Sequence, residues 1–333
     1  MPSLVGSEMC IRDRSEHFVA KPFLGFILRR FGHVITKKMF CPDTSTILGI
    51  LRARKEGNII VMFPEGRLNA VAHSQPVAKG TAELVKKLGI DVYTIVGNGA
   101  ALAFPKWGRK YRRGVIKVTT QKTLEAQKIR EMSVSEISHV IDAAIYHDDE
   151  KAMAGMKYIC KNTADGLDKI LYKCPECKEE YSIYAKGCQV GCSSCGFKTS
   201  LTQDYIFTNG RMRSPNEWFY WQIDELSLDT VMEDNIKIGA VNKNGIMDYN
   251  AGSGHVRLDK DSIYLSGEIF GEHTELSKST ANIGGMPYTP SREFDIYYDK
   301  RLLYLMPQNK RRIVKYVTLV DKIVKLSEEG GAK

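Results

Sequence analysis

The sequence has no long hydrophobic run. None of its 333 residues lies in a stretch approaching the roughly 18 consecutive apolar residues of a membrane-spanning helix, so any membrane contact of the chain as given is expected at the bilayer surface. The sequence also lacks the long apolar region of a secretory signal, internal repeats and low-complexity tracts. With 43% apolar and 26% charged residues, the chain is neither disordered throughout nor fibrous, and its length favours two or three domains.

Acidic residues are scarce in one part of the chain. Residues 15–120 contain 18 Lys and Arg but 6 Asp and Glu, whereas residues 151–333 contain 25 and 24. The formal net charge of +9 therefore comes from the first part. A basic region of this kind attracts phosphate-bearing partners, which include nucleic acid, anionic lipid head groups and phosphorylated metabolites.

The first third of the chain alternates helical and strand patterns. Apolar residues recur at helical spacing from Pro22 to Phe31, and a second helix is predicted from Asp43 or Thr44 to about Glu56. The other predicted elements are a buried strand at Asn58–Phe63, a helix at Lys79–Leu88, and strands at Val92–Val96 and Val115–Thr119. This alternation predicts an α/β domain with a mostly parallel sheet and flanking helices.

After Trp218 the pattern changes to short alternating segments separated by Gly and Asn. The predicted strands are Ile236–Val241, His255–Leu258, Ile263–Leu265, Phe294–Tyr298 and Leu302–Leu305. The last element, Arg312–Leu326, has one apolar face at helical spacing. We therefore predict an antiparallel β domain with a C-terminal helix. It is compatible with a pleckstrin-like or similar barrel that binds lipid, a carrier protein or another partner.

Four of the eight cysteines form two CxxC pairs. Cys174 and Cys177 are separated from Cys192 and Cys195 by 14 residues, and four thiolates at this spacing suit a tetrahedral, structural Zn²⁺. Cys188 is a competing ligand, but Cys192 completes the second CxxC pair. A redox dithiol is the alternative interpretation. The sequence therefore predicts a zinc ribbon whose metal helps a small segment to fold.

The segment Ile59–Arg67 (IIVMFPEGR) contains the most informative turn. Pro64 ends the predicted strand and Gly66 permits a tight bend, which places Glu65 and Arg67 at the carboxyl edge of the sheet, where open α/β folds bind ligands. The planar guanidinium of Arg67 suits a phosphate, and backbone N–H groups around the glycine can add to the same cradle.

Residues 63–67, Phe-Pro-Glu-Gly-Arg, resemble the signature of the glycerol-phosphate and 1-acylglycerol-3-phosphate (lysophosphatidic acid) acyltransferases. The segment from Phe18 through Phe31-Gly32-His-Val-Ile35 resembles the family segment before that signature, and 78–82 (AKGTA) resembles the one after it. The resemblance covers residues 16–120. The family usually has an Arg where Lys37 or Lys38 stands here.

The resemblance implies transfer of an acyl group from acyl-CoA or acyl carrier protein to the hydroxyl of glycerol phosphate or a lysophospholipid. It assigns the substrate phosphate to Glu65, Gly66, Arg67 and Lys38. The family's general base is a His followed, after four residues, by an Asp that orients it. None of the seven histidines has this Asp, so the fragment has no catalytic residues to assign.

The first 14 residues do not lead into the pattern of the rest of the chain. Met1–Arg14 contains VGSEMCIRDR, which resembles translated sequencing-adaptor DNA, so residues 1–14 are expected to be a non-native artefact. The expected organisation is then a truncated acyltransferase-like α/β domain at 15–125, a helical segment and linker at 126–170, the zinc ribbon at 171–201 and the β-rich domain with its C-terminal helix at 202–333. On this interpretation the natural protein has the dyad upstream, and the chain as written is inactive.

A basic and aromatic cluster is predicted either to contact an anionic membrane surface or to form a solvated loop. It consists of Lys106, Arg109, Lys110, Arg112 and Arg113 with Trp107 and Tyr111. We expect a cytoplasmic protein bound peripherally to the inner face of the cell membrane. Two other functions stay open: a non-catalytic lipid-binding relative, and a nucleic-acid-binding zinc-ribbon protein. No nucleic acid is expected as a partner, because the ribbon is not strongly basic.

Overall fold

The structure, a computed structural model, describes residues 10–11, 35, 44–108, 110–242, 246–283, 285–298 and 301–330. The helix predicted at Pro22–Phe31, the candidate ligand Lys38 and Arg109 of the basic cluster lie outside these ranges. The chain divides into two compact units. The first contains Met1–Asn69, Ser74–Gly97 and Lys117–Asp148, and the second contains Ala70–His73, Asn98–Ile116 and Asp149–Lys333.

The elements alternate in the first half of the chain and are mostly strands in the second. The strands are β1 (Cys10–Ile11), β2 (Val61–Met62), β3 (Val92–Asn98), β4 (Lys117–Leu124), β5 (Ile183–Lys186), β6 (Gln189–Cys192), β7 (Lys198–Ser200), β8 (Met232–Val241), β9 (Met247–Leu258), β10 (Ser262–Ile269), β11 (Glu272–Ser279), β12 (Tyr288–Thr289), β13 (Glu293–Tyr298) and β14 (Arg301–Pro307). The helices are α1 (Thr44–Lys55), α2 (Thr81–Leu88), α3 (Ala100–Ala103), α4 (Ala126–Glu131), α5 (Val134–Ile145), α6 (Asp149–Ala152), α7 (Pro215–Asp224) and α8 (Ile313–Gly330). Across the described ranges, no helix is both long and apolar enough to span a bilayer.

The first unit is a mixed α/β unit, but its described strands do not form the single parallel sheet that the sequence predicts. β1 and β2 pair in parallel over two residues each, and β3 and β4 form a separate two-stranded sheet. The strand predicted at Asn58–Phe63 is shorter than expected because only Val61 and Met62 join a ladder, while Ile59 and Phe63 are exposed.

Local backbone geometry and capping define two helix ends of the first unit. α5 begins with a capping box in which the Ser133 hydroxyl accepts the backbone N–H of Glu136 and the Glu136 carboxylate accepts the backbone N–H of Ser133. This exchange pairs two donors that a helix start otherwise leaves unpaired. Gly89 ends α2 in the left-handed region, at φ +55°.

The second unit contains the predicted antiparallel β domain. Its seven strands have the order β11-β10-β9-β8-β14-β13-β12, and every neighbouring pair is antiparallel. Two meanders therefore meet where β8 pairs with β14. The C-terminal helix α8 covers this sheet, with the ring of Tyr316 stacked on that of Phe294 at 4.8 Å between centroids.

A three-stranded antiparallel sheet, β5-β6-β7, carries the cysteine segment and shares a core with the β domain. Cys174, Ile183 and Val190 belong to the same buried cluster as Leu305 and Val317. The ribbon is too small to form a core of its own, and it packs against the larger core of the β domain.

Candidate functional site

The Phe-Pro-Glu-Gly-Arg turn directly follows β2. The N–H of Gly66 lies 3.4 Å from the carbonyl oxygen of Phe63, and Gly66 has φ +73°, a conformation that residues with a Cβ rarely adopt. The carbonyl of Pro64 accepts the N–H of Ala78 at 2.7 Å. The turn is therefore held on both sides by backbone hydrogen bonds.

Gln75 lies between the two charged side chains of this turn. The Glu65 carboxylate accepts the backbone N–H of Gln75 at 2.6 Å, and Arg67 Nη2 lies 3.4 Å from Gln75 Oε1. Glu65, Gly66 and Arg67 are all half-buried, so the turn lies at the surface and not inside the core. The structure thus brings together three of the four predicted phosphate ligands, while Lys38 is not among the described residues.

Two histidines of the described ranges have contacts with neighbouring groups. The ring of His73 packs edge-on against Tyr220, with 5.3 Å between centroids. His147 Nδ1 lies 3.0 Å from the carbonyl oxygen of Ile145. The first contact is ring packing, and the second is with a backbone carbonyl.

The four cysteines of the two CxxC pairs converge on one point. Their sulfur atoms all lie within 4.8 Å of one another. Cys174 Sγ is 3.8 Å from Cys195 Sγ, and Cys177 Sγ is 3.7 Å from Cys192 Sγ. A tetrahedral metal with bonds of about 2.3 Å to sulfur requires sulfur–sulfur distances of about 3.8 Å. The arrangement could therefore bind a metal ion.

Two similar turns create this convergence. The carbonyl of Cys174 accepts the N–H of Lys178 at 3.0 Å, and the carbonyl of Cys192 accepts the N–H of Gly196 at 3.1 Å. Lys178 and Gly196 both have positive φ, at +63° and +76°. Each turn bends its CxxC segment so that both sulfur atoms point toward the centre of the cluster. The same bend explains why Lys178, which has a Cβ, adopts the left-handed backbone conformation.

The surroundings of the cluster shift the pKa values of two of its thiols in opposite directions. Burial raises the pKa of Cys174 to about 12, although the backbone N–H groups of Cys177 and Glu176 favour its thiolate. Burial also opposes the thiolate of Cys192. There, hydrogen bonds led by the Ser182 hydroxyl, whose oxygen lies 3.1 Å from the sulfur, outweigh burial and lower the pKa to about 6. Donors directed at sulfur are typical of thiolates that hold a metal.

The cluster contains Cys192 and not the competing Cys188. Cys188 is exposed and donates to the backbone carbonyl of Lys161 at 3.1 Å, outside the cluster. All four positions of a tetrahedral ion would be filled by protein sulfur, so the site has no open position for catalysis.

Charged side chains in the C-terminal helix α8 and just before it contact the ribbon. Arg311 Nη1 donates to the carbonyls of Tyr181 and Ile183 at 2.7 and 3.0 Å. Lys315 Nζ lies 2.6 and 2.9 Å from the two carboxylate oxygens of Glu180, in a largely buried ion pair. No short sequence pattern signals these contacts, because the partners are more than 120 residues apart.

The cluster at 106–113 is predicted to be exposed, either at a membrane or as a solvated loop, and for two of its members this prediction is wrong. Trp107 and Arg112 are each 2% exposed. The Arg112 guanidinium carbon lies 4.5 Å from the Trp107 ring centroid and 4.9 Å from that of Tyr205, and Arg112 Nη2 donates to the carbonyl of Thr163 at 2.8 Å. The two aromatic faces and the carbonyl offset part of the cost of burying the cation.

A comparison with protein families matches the first part of the chain. Residues 9–97 match the family model "Acyltransferase", a match that covers roughly a quarter of the chain and includes the whole turn from Phe63 to Arg67. This match supports a general acyltransferase function, with an acyl donor and a lipid acceptor as the general substrates. No curated protein gives a significant match to the chain.

Proposed function

We propose that the protein is an acyltransferase of phospholipid synthesis, acting on glycerol phosphate or a lysophospholipid with acyl-CoA or acyl carrier protein as donor. The observation that carries the proposal is the family match over residues 9–97, which contains the Phe-Pro-Glu-Gly-Arg turn. A cytoplasmic location at the inner face of the cell membrane fits the basic first part of the chain, since anionic lipid attracts such regions.

In this proposal the turn binds the substrate phosphate. Arg67 offers a guanidinium fork and Gly66 brings backbone N–H groups close to the ligand. Gln75 contacts both Glu65 and Arg67, which supports a fixed position for the two side chains. Lys38 would supply a second cation.

The His–Asp pair that supplies the base in the family it resembles is missing from this sequence. In acyl transfer the acceptor hydroxyl oxygen attacks the thioester carbonyl, the carbon–sulfur bond breaks, the thiol leaves, and a base removes the hydroxyl proton. No His in the sequence is followed by an Asp after four residues. General bases contribute about 10²–10⁴-fold to rate, so we propose that the chain as written binds its acceptor but does not turn over.

We further propose that the cysteine cluster holds a structural Zn²⁺. The support is the sulfur geometry and the hydrogen bonds directed at Cys174 and Cys192. Zinc would be held by Cys174, Cys177, Cys192 and Cys195 and would stabilise the ribbon without taking part in the reaction.

The phosphate role is tested by calorimetric titration of the full chain with glycerol 3-phosphate. Arg67→Gln is expected to weaken binding by about 10–100-fold, because a hydrogen bond to a charged group contributes about 1.5–3 kcal/mol. Arg67→Lys is expected to recover part of the affinity, since Lys keeps the charge without the fork. Exposed Arg130 of α4 provides the matched control, Arg130→Gln, which should bind as the unmodified chain does. Equal affinities for Arg67→Gln and Arg130→Gln would contradict the phosphate role.

The proposed lack of turnover is tested separately, by following release of free thiol from acyl-CoA in the presence of a lysophospholipid. No acceptor-dependent release is expected from this chain. Acceptor-dependent release above the spontaneous rate would refute its proposed inactivity, whatever the outcome of the binding experiment.

A further inference from the structure

Two segments of the second unit form a surface that neither segment shows alone. Arg113 and Ile159 exchange backbone hydrogen bonds, with N–H···O distances of 3.3 and 2.8 Å, in an antiparallel bridge. In extended segments, side chains alternate between two faces. Arg112 and Tyr158 therefore turn inward and are buried, while Arg113 and Ile159 turn outward and are exposed.

The outward face combines cations with apolar side chains. We name it the Arg113 surface, and its six residues, all exposed, are Tyr111, Arg113, Val115, Lys157, Ile159 and Lys161. Tyr111 is 64%, Ile159 56% and Val115 50% exposed, which is unusual for apolar side chains on one small face. None of the six is acidic. The carboxylate of Asp165, four residues after Lys161 in the sequence, accepts hydrogen bonds from the Gly187 N–H and the Asn162 amide.

The inner sides of the two segments keep this surface rigid. The Tyr158 hydroxyl donates to the carbonyl of Val115 at 2.8 Å, and the backbone N–H of Tyr158 donates to the carbonyl of Gln203 at 2.8 Å. Gly114 lies against the Tyr158 ring so closely that a Cβ there would be 2.3 Å from a ring carbon. The backbone N–H of Arg112 donates to the carbonyl of Ala103 at 2.7 Å. The outward side chains thus start from a fixed backbone.

We propose that the Arg113 surface docks the protein on a bilayer that contains anionic phospholipid. The three cations complement anionic head groups, and Tyr, Ile and Val between them suit the boundary between head groups and acyl chains. A nucleic-acid groove would place stacking aromatics between its cations, whereas two of the three apolar side chains here, Val115 and Ile159, are aliphatic and Tyr111 is the one aromatic. The inference deepens the membrane location in the proposed function, but it requires neither acyl transfer nor a bound acceptor.

The test is co-sedimentation of the full chain with vesicles of phosphatidylcholine alone or mixed with phosphatidylglycerol. We expect binding to the mixed vesicles only, and its loss as salt rises from about 0.1 M to about 1 M, because the Debye length falls from about 10 Å to about 3 Å. Each cation contributes about fivefold to affinity, so the triple variant Arg113→Gln/Lys157→Gln/Lys161→Gln should bind on the order of 100-fold more weakly.

A matched control removes the same charge elsewhere in the same unit. Exposed Lys186, Lys198 and Lys237 lie outside the Arg113 surface, and their triple Gln variant should keep affinity within about twofold. Tyr111→Trp adds a second readout, in which the fluorescence emission should shift to shorter wavelength on mixed vesicles as the ring leaves water.

Three results would overturn the proposal: equal binding by the two triple variants, equal binding to neutral and mixed vesicles, or an unshifted emission from the Tyr111→Trp variant on vesicles that do sediment it. These readouts do not involve turnover or glycerol 3-phosphate. Their failure therefore leaves the proposed function standing, and failure of the Arg67 experiment leaves the membrane surface standing.

Discussion

Removing the metal from the cysteine cluster is expected to destabilise the whole second unit, not the ribbon alone. Cys174 and Cys192 are buried in the same core as residues of the β domain and of α8. Arg311 donates to two ribbon carbonyls, and Lys315 pairs with Glu180 of the ribbon. If the ribbon opens, Lys315 loses its ion pair with Glu180 and the shared core is exposed to water.

The size of the effect follows from the strength of four-thiolate sites. A structural zinc contributes an apparent stabilisation of about 10–16 kcal/mol in isolated finger peptides, and part of it is used to order the ribbon itself. We take about 5 kcal/mol as the net loss for the unit, which is comparable to the entire stability of many domains. For a unit of this size, about 2–4 °C of Tm is lost per kcal/mol, so the expected fall is about 10–20 °C.

The assay is differential scanning calorimetry of the full chain, with metal content measured by mass spectrometry on the same samples. Chelated protein and Cys174→Ser should lose one metal per chain and show the lower Tm. Because thiolate ligands take up protons, metal should also be lost as the pH falls. Cys188→Ser is the control, since this exposed thiol lies outside the cluster and its replacement should change neither readout.

An unchanged Tm after complete metal removal would refute the reasoning, because it would mean that the shared core is stable without the site. Equal metal content in Cys174→Ser and Cys188→Ser would refute the ligand assignment itself.

Two further predictions concern local structure. Ser133→Ala removes the capping box of α5 and should cost about 1 kcal/mol in urea unfolding; exposed Ser277→Ala should stay within about 0.5 kcal/mol, and equal costs would contradict the capping role. Gly114→Ala places a methyl group 2.3 Å from the Tyr158 ring, so overpacking should cost about 1–3 kcal/mol and lower the calorimetric Tm of the second unit. An unchanged Tm for Gly114→Ala would show that the contact relaxes freely.

The cysteine site was predictable because its geometry is local. Each CxxC bends its own backbone, and the spacing between the pairs is long enough for the β5–β6 hairpin that brings them together. The preference for Cys192 over Cys188 followed from the pattern alone. The pKa difference between Cys174 and Cys192 could not be predicted, because it depends on burial and on the hydroxyl of Ser182.

The Phe-Pro-Glu-Gly-Arg turn was predictable in its residues but not in its contacts. Pro64 and Gly66 indicate a bend after a strand, and the structure has that bend after β2. Nothing in the pattern identifies Gln75 as the residue that contacts both Glu65 and Arg67. Of the parallel sheet expected from the alternation of strands and helices, the described residues show the two-residue pairing of β1 with β2.

The amino-acid sequence by itself determined the features set by neighbours along the chain: the capping box at Ser133, the bend at Gly66, the two CxxC turns and the change from mixed to antiparallel β patterns. Only the tertiary structure decided which cations face water. Trp107 and Arg112 belong to a basic stretch that predicts a surface location. Both side chains are buried, and the Arg112 guanidinium contacts the rings of Trp107 and Tyr205. Lys157, Ile159 and Lys161 are exposed instead. The bridge between Arg113 and Ile159 pairs two distant segments, and this pairing, not the composition of either segment, determines the face on which each side chain lies.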